Sequence, residues 1–143
     1  MTVTKILDQK GRDVATIAPT ASVAEAASIL SARKIGALVV TGAGGRITGI
    51  VSERDIVHAL AQRGAEALQS PLADVMTRKV VTCAPSDSMS SIMELMTDGK
   101  FRHLPVAEGG QLAGIISIGD VVKHRLAELE SEQNALRDYI QTA

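Results

Sequence analysis

The sequence predicts a mixed α/β (α+β) protein in which two tandem copies of one βαββα unit pack together about a pseudo-twofold axis. Three observations predict it. A motif of glycine, two branched aliphatics, serine, two variable residues and aspartate occurs at residues 49–55 and again at 114–120, 65 positions later. The elements around the motif recur in the same order, and the last helix continues past the second copy. Neither copy alone could bury both faces of its strands, so we expect the two to form one body.

The first copy begins with a short strand that ends before Pro19, because the residue before a proline avoids the helical region. Ser22 and Glu25 have the spacing of a capping box and precede an apolar helical pattern. A continuous apolar run follows, as in a strand that is buried on both faces, and then a glycine-rich turn and a second strand. The predicted elements are strand 14–17, helix 22–34, strands 35–40 and 47–51, and helix 52–63.

A polar connector, residues 64–71, precedes the second copy, in which residues 80–85 repeat residues 14–19 at an offset of 66. A helix over 88–100 and a strand over 102–106 follow in the expected order. We therefore divide the chain into repeat 1 (1–67), repeat 2 (68–127) and an extension of the last helix (128–143).

The last helix is expected to run from about Ile118 towards Ile140. It carries a heptad pattern with one polar position. Packing on its own domain explains the first two turns, whereas a partner chain is an equal alternative from Leu129 onward. The residues of the pattern are Val122, Leu126, Leu129, Gln133, Leu136 and Ile140.

The composition of this 143-residue chain excludes several classes of protein. Only Phe101 and Tyr139 are aromatic and the net charge is −1, so the chain lacks the basic and stacking surface of a nucleic-acid binder. No apolar run approaches the ~20 residues of a membrane span. Cys83 is the only cysteine, which excludes an intramolecular disulfide or a thiolate metal cluster. Met1 to Gln9 lack the apolar core of a signal peptide, and we expect a cytoplasmic protein.

The tandem pattern resembles the CBS domain, the regulatory module named after cystathionine β-synthase, over most of the chain from about Val3 to Lys123. Repeat 1 departs from the pattern, because it has Gly36-Ala37 where repeat 2 has Arg102-His103, so the two halves are not expected to offer the same ligand chemistry. The motifs that carry the resemblance are Val75-Met76-Thr77, Thr82-x-x-Pro85, Arg102-His103-Leu104-Pro105-Val106 and the two motifs at 49–55 and 114–120.

The resemblance implies a pseudo-twofold module whose clefts bind an adenosine ligand, AMP first and otherwise ADP, ATP, NAD or S-adenosylmethionine. It also implies a homodimer. By the family pattern, each cleft combines the Ser/Asp motif of one copy with the Thr-x-x-Pro segment of the other, and Arg102, His103 and then Arg54 are the candidate phosphate contacts. The implied ligand-binding residues are Thr16, Ile17, Ala37, Ser52, Arg54, Asp55, Thr82, Cys83, Arg102, His103, Pro105, Ser117 and Asp120.

The repeated serine and aspartate have two compatible interpretations. Serine as N-cap with an acid three residues later is a capping-box variant, which suits the helix dipole. The same carboxylate can accept hydrogen bonds from the 2′ and 3′ hydroxyls of a ribose. We expect Asp120 to carry the ligand.

Simpler alternatives stand beside the other assignments. Arg102 could form a surface salt bridge, His103 could be a satisfied strand histidine, and His58 and His124 are expected to be solvated. Cys83 is expected to be a buried thiol that lines a cleft.

No catalytic constellation is found in the sequence: there is no Walker motif, and residues 42–45 do not fit a dinucleotide fingerprint. The predicted function is a non-catalytic sensor in signal transduction and energy sensing, whose adenylate-bound state is recognised by an unidentified regulated protein. The alternative is an interaction module with vestigial clefts, in which the last helix is the working surface.

Overall fold

A computed structural model describes residues 1–142. The predicted order of elements is complete in repeat 1, whereas in repeat 2 the first strand is reduced to an isolated bridge at Cys83. Short 3-10 turns connect the repeats at Gly64–Gln69 and Leu72–Asp74. The elements are α1 (Val3–Lys10), β1 (Thr16–Ile17), α2 (Val23–Arg33), β2 (Ala37–Thr41), β3 (Ile47–Ser52), α3 (Glu53–Arg63), α4 (Met89–Gly99), β4 (His103–Glu108), β5 (Gln111–Ser117) and α5 (Ile118–Thr142).

The two sheets are related by the sequence repeat. In the first sheet β1 lies parallel to β2, and β2 is antiparallel to β3, with Val39 opposite Ile50. In the second sheet β4 is antiparallel to β5, with Leu104 opposite Ile116, and a parallel bridge at Cys83 takes the place of an edge strand. The mixed α/β fold class is confirmed.

Serine hydroxyls fix the start of α2 and α4, because each accepts a hydrogen bond from a first-turn amide that has no partner within the helix. Ser22 Oγ accepts from the Glu25 amide at 3.1 Å, and Ser88 Oγ accepts from the Ser91 amide at 3.2 Å. Both helices end at a lysine in the left-handed conformation, Lys34 or Lys100. The strand that follows therefore starts at the same point in each repeat.

Residues 3–10 form the helix α1, which the sequence analysis described only as an apolar lead-in and a polar turn. Val3, Ile6 and Leu7 are buried in the core of repeat 2, among Ile92, Leu104 and other aliphatic residues. The amides of Val3 and Thr4 donate to the carbonyls of Asp87 and Pro85 at 3.0 Å. We call residues 2–10 the first lead-in segment: it precedes repeat 1 and packs on repeat 2.

The second lead-in segment, residues 70–77, makes the reciprocal contact. Leu72 and Met76 are buried in the core of repeat 1, although they follow its last helix. The Leu72 amide donates to Ala21 O at 2.8 Å, and Thr77 exchanges two backbone hydrogen bonds with Ile50, at 2.9 and 3.0 Å. Each repeat therefore closes its core with the segment that precedes the other repeat.

The two motif glycines are explained by these lead-in segments. A Cβ at Gly49 would lie 2.6 Å from Met76 Sδ and 3.0 Å from Thr77 O. A Cβ at Gly114 would lie 2.7 Å from a methyl carbon of Leu7. Glycine at both positions lets the lead-in segment of the other repeat pack directly on the strand.

The last helix, α5, extends from Ile118 to Thr142, and its buried residues are Val121 and His124. The expectation that His124 is solvated is wrong, because its side chain lies on the face that packs on repeat 2, whereas His58 is exposed as expected. None of the helices over residues 1–142 is long and apolar enough to cross a bilayer.

Leu7→Ala should destabilise the protein by about 2–5 kcal/mol, because it leaves a cavity in a core to which a separate segment contributes. Hydrogen exchange should show protection lost first in β4 and β5, which belong to the repeat that α1 packs on. Val57→Ala, at a side chain that is 64% exposed, is the control. Earlier loss of protection in β2 and β3 would contradict the exchanged packing.

Candidate functional site

A cleft of about 400 Å³ lies between the repeats, at the start of α3. Repeat 1 contributes the turn from Ser52 to Asp55. Repeat 2 contributes residues 79–81 and residues 99–103, which lead into β4. This volume is within the range of small-molecule sites, ~300–1,000 Å³. We call it the first cleft.

Asp55 occupies the helix end of the first cleft in a complete capping box. Its Oδ2 accepts hydrogen bonds from the Ser52 amide at 2.8 Å and from Ser52 Oγ at 3.1 Å. Its Oδ1 accepts only a long hydrogen bond, 3.4 Å, from Thr77 Oγ1. One carboxylate oxygen is thus fixed by the cap, and the other retains acceptor capacity on the cleft side.

Four cationic side chains surround the first cleft, against the two carboxylates of Glu53 and Asp55. Arg54 is held across the cleft by a 3.3 Å hydrogen bond from Nη1 to the carbonyl of Lys100. The excess of positive charge favours an anionic ligand. The four cations are Arg54, Lys79, Lys100 and Arg102.

His103, the first residue of β4, borders both this cleft and a second one. Burial lowers its pKa below the ordinary value for histidine, and the positive charges of Lys10 and Arg102 act in the same direction. The nearby carboxylates of Glu53 and Asp120 oppose that shift. At neutral pH the imidazole is therefore neutral and acts as a hydrogen-bonding group.

The second cleft, of about 340 Å³, is the pseudo-twofold counterpart of the first. Its walls include Ser117, residues 13–15 and Lys34, which correspond to Ser52, residues 79–81 and Lys100 of the first cleft. The geometry of the two clefts is therefore repeated, and their difference is chemical.

Asp120 of the second cleft is already paired within the chain. Lys10 Nζ lies 2.6 Å from Asp120 Oδ2 and donates to the carbonyl of Ile115 at 2.9 Å. Burial alone would raise the pKa of Asp120, but the hydrogen bonds from Lys10 and Ser117, with the Lys10 charge, hold it below the usual carboxyl range. The pair therefore stabilises the fold at neutral pH, and its contribution is lost as the pH falls through the carboxyl range.

The lead-in segments cause this difference. Each one ends beside the aspartate of the other repeat: the second places the neutral hydroxyl of Thr77 near Asp55, and the first places the ammonium of Lys10 on Asp120. The two carboxylates therefore differ in the charge of their neighbour, an ammonium at Asp120 and a hydroxyl at Asp55. The expectation that favoured Asp120 did not consider Lys10, and it stays a prediction.

The structure places most of the predicted residues on the cleft walls. Ser52, Arg54, Asp55, Arg102, His103 and Pro105 line the first cleft, and Ala37, His103 and Ser117 line the second. Asp120 lies beside the second cleft, bonded to Lys10.

The Thr-x-x-Pro segments lie differently from the expectation. Ile17 and Cys83 are buried in the cores of repeats 1 and 2, because each faces inward at the strand edge of its sheet. Thr16 and Thr82 are exposed, and neither lines a cleft. The cleft walls are formed by the residues before them, 13–15 and 79–81.

Sequence reasoning did not assign Thr77, Lys79 and Lys10 to the clefts, although all three line them. Val3, Ile6, Leu7 and Lys10 have helical spacing, which could have predicted α1 and the position of Lys10 one turn after Leu7. Nothing in the local pattern indicated that the helix would pack on the other repeat.

Comparison with known proteins identifies the family. The CBS domain model matches the chain twice, over residues 10–62 and 72–127. The chain belongs to the CBS domain family. The two matched segments are the CBS repeats whose facing sides form the first and second clefts.

Related proteins share this CBS pair. A CBS-domain containing protein from Agrobacterium tumefaciens, ATU1752, is 54% identical in sequence and superposes with a TM-score of 0.85, over 87% of this chain and 92% of that one. The CBS domain-containing protein YhcV of Bacillus subtilis is 29% identical over 94% of both chains. The mitochondrial protein CBSX3 of Arabidopsis thaliana is 34% identical over 84% of this chain, which spans only 60% of that protein.

Two similar structures contain adenosine compounds. The CBS domain protein PAE2072 from Pyrobaculum aerophilum, complexed with AMP, is 29% identical with a TM-score of 0.75 over 84% of this chain and 89% of that one. The CBS domain pair of protein MJ0100, in complex with 5′-methylthioadenosine and S-adenosyl-L-methionine, is 25% identical with a TM-score of 0.80 over 90% of this chain and 98% of that one.

The Cys83 thiol should resist alkylation in the native protein. Burial, reinforced by the charge of Asp87, raises its pKa to about 11, so very little thiolate exists at pH 8. Iodoacetamide labelling followed by mass spectrometry should be slow at pH 8 in the folded protein and fast in urea. Rapid native labelling would show that the thiol is accessible, which would contradict its buried position.

Proposed function

We propose that this CBS pair is a non-catalytic regulatory module that binds one adenosine nucleotide, AMP by preference, in its first cleft. The observation that carries the proposal is Asp55 at the start of α3, with one carboxylate oxygen fixed by the cap and the other turned to a cation-rich cleft. ADP, ATP, NAD and S-adenosylmethionine are the other candidate ligands.

Asp55 is suited to bind the ribose. A carboxylate can accept hydrogen bonds from two vicinal hydroxyls, and bonds to a charged group contribute roughly 1.5–3 kcal/mol each. The cap between Ser52 and Asp55 fixes the carboxylate before the ligand arrives, so little side-chain entropy is lost on binding. Adenine would lie on the apolar part of the cleft lining, which includes the aliphatic Ile50 and Val81 and the aromatic Phe101.

The cations of the first cleft support a phosphate-bearing ligand. Arg102 and Lys79 belong to repeat 2, whereas Arg54 and Asp55 belong to repeat 1. A nucleotide held by all four would therefore connect the two repeats. The AMP complex of PAE2072 supports this class of ligand, and the compounds bound to MJ0100 share its adenosine part. The charge of the cleft favours AMP over the uncharged 5′-methylthioadenosine.

The regulatory part of the proposal follows from the same connection. Ligand binding would change the free energy of the interface between the repeats, and a partner protein or a homodimer would respond to that change. Such a module would report the adenylate level of the cell, that is, its energy state. An interaction module with unused clefts is the second candidate function, and the exposed apolar residues of α5 favour it.

Asp55→Asn should weaken AMP binding at least about tenfold, because a neutral amide replaces the charged ribose acceptor. Isothermal titration calorimetry measures this directly. The matched control is Asp120→Asn, which also removes a capping acid but should leave AMP affinity unchanged. When AMP is present at 100 times its dissociation constant, the wild-type protein should gain about 2.7 kcal/mol in its free energy of unfolding.

Two outcomes would contradict the proposal. If neither AMP nor any other adenosine ligand binds or stabilises the wild-type protein, the second candidate function replaces it. If Asp120→Asn abolishes binding and Asp55→Asn does not, the ligand occupies the second cleft.

Substitutions at Lys10 and Thr77, the residues that the lead-in segments place beside the aspartates, should add or remove an AMP site. Lys10→Thr gives Asp120 the neutral neighbour that Asp55 has, and should raise the AMP stoichiometry from one per chain to two. Thr77→Lys places a new ammonium beside Asp55, as Lys10 does beside Asp120, and should abolish binding in the first cleft. Calorimetric stoichiometry measures both.

Each of the two variants tests a separate part of the proposal. Unchanged stoichiometry in Lys10→Thr would mean that the second cleft lacks other necessary contacts, and that Lys10 is not what closes it. Unchanged binding in Thr77→Lys would show that Asp55 is not the ribose acceptor, which would contradict the proposed site itself.

A further inference from the structure

The extension of α5 carries an exposed apolar stripe, which we call the α5 stripe. From Arg125 to Thr142 no residue of α5 is buried. This overhang of 17 residues from Leu126 is about 25 Å long, and in proteins a helix gains most of its stability from packing of its apolar face. The stripe consists of Val122 (50% exposed), Leu126 (60%), Leu129 (44%), Leu136 (60%) and Ile140 (66%).

We propose that the α5 stripe is the seam of a parallel, in-register, two-stranded coiled coil with a second copy of this chain. This inference specifies the homodimer of the proposed function and does not depend on nucleotide binding. With Gln133 between Leu129 and Leu136, the positions of the stripe alternate in steps of 4 and 3 residues, which is the heptad spacing of such a seam. Leu129 and Leu136 take d positions, where leucine favours two strands.

Charged residues beside the seam select a second copy and its direction. In a parallel in-register pair, each g side chain faces the e side chain five residues further along the other helix. Arg125 then faces Glu130 of the second copy, and Glu132 faces Arg137. All four residues are exposed in the single chain. Arg125 Nη1 also lies 3.6 Å from Glu128 Oε2 of its own helix, but such a surface ion pair contributes little and can be exchanged for the pair with Glu130.

An antiparallel pair with the same overlap would have unfavourable charges. There e positions face e positions and g positions face g positions. Glu130 would face Glu130 of the second copy, Glu132 would face Glu132, and Lys123 would face Arg137. All three contacts repel, so the sequence disfavours this arrangement.

Gln133 is the polar residue of the seam, at an a position between Leu129 and Leu136. In the parallel in-register pair the two Gln133 side chains meet and can hydrogen-bond to each other. A shift of one heptad would bury each amide against leucine or isoleucine instead. A single polar a position is a known means of fixing register at some cost in stability.

Cysteine cross-linking tests the arrangement. Gln133→Cys places two thiols at the same level of the seam, where a disulfide can form, and mild oxidation should cross-link the full chain to a dimer. Asn134→Cys is the matched control: it is one residue away and equally exposed, but at an outward b position, and should not cross-link. Cys83 is buried and common to both variants.

The outcomes separate this inference from the homodimer itself. A dimeric mass by light scattering with cross-linking at 133 and not at 134 supports the coiled coil. A dimer that cross-links at neither position, or at both equally, overturns the coiled coil and leaves a homodimer through another face. A monomer overturns both, and AMP titration of the same samples tests the proposed ligand independently.

A charge exchange gives a second measurement. Glu132→Arg should raise the dimer dissociation constant, because the introduced guanidinium would face Arg137 of the second copy. Adding Arg137→Glu should restore the dimer, since the pair is then reversed but complementary. If the double variant is no tighter than Glu132→Arg alone, the two positions do not face each other and the parallel register is wrong.

Discussion

The packing of each lead-in segment on the opposite repeat is the contact on which the rest of the molecule depends. Val3, Ile6 and Leu7 complete the core of repeat 2, and Leu72 and Met76 complete that of repeat 1. Each repeat is too small to bury both faces of its hairpin without this addition. Because both segments cross between the repeats, the interface is held by core packing, and Gly36 and His103 border both clefts within it.

The two clefts show how a repeated backbone can have unequal chemistry. The motif positions both aspartates identically, with a serine amide bound to one carboxylate oxygen. What differs is the neighbour that the crossing segment supplies. An ammonium 2.6 Å away forms an ion pair with Asp120, whereas the corresponding neighbour of Asp55 is a hydroxyl at 3.4 Å. A single residue in a segment remote in sequence thus sets the charge beside each aspartate.

The fold could be predicted from the sequence where the signal is local. Serine caps, apolar periods and the repeat itself located α2 to α5 and the hairpin strands within a few residues. The prediction was incomplete where the deciding contact was non-local. Residues 2–10 were not assigned a helix, and the repeat boundary at 67 and 68 does not mark the boundary between cores, since Leu72 packs with repeat 1. Cys83 and Ile17 belong to the Thr-x-x-Pro segments that the family pattern assigns to the clefts. Their pairing with β4 and β2 instead turns both side chains into the cores.

Exchanged lead-in segments also have a consequence for how such a chain could evolve. Two identical single repeats that exchanged these segments would form a symmetric dimer, in which any substitution beside the aspartate appears in both clefts at once. Fusion into one chain removes that constraint, because Thr77 and Lys10 are encoded separately. One copy can then acquire an internal ion pair that supports the fold, as Lys10 and Asp120 do, while the other copy keeps a hydroxyl beside its aspartate. Duplication followed by fusion thus lets two copies of one motif differ in charge.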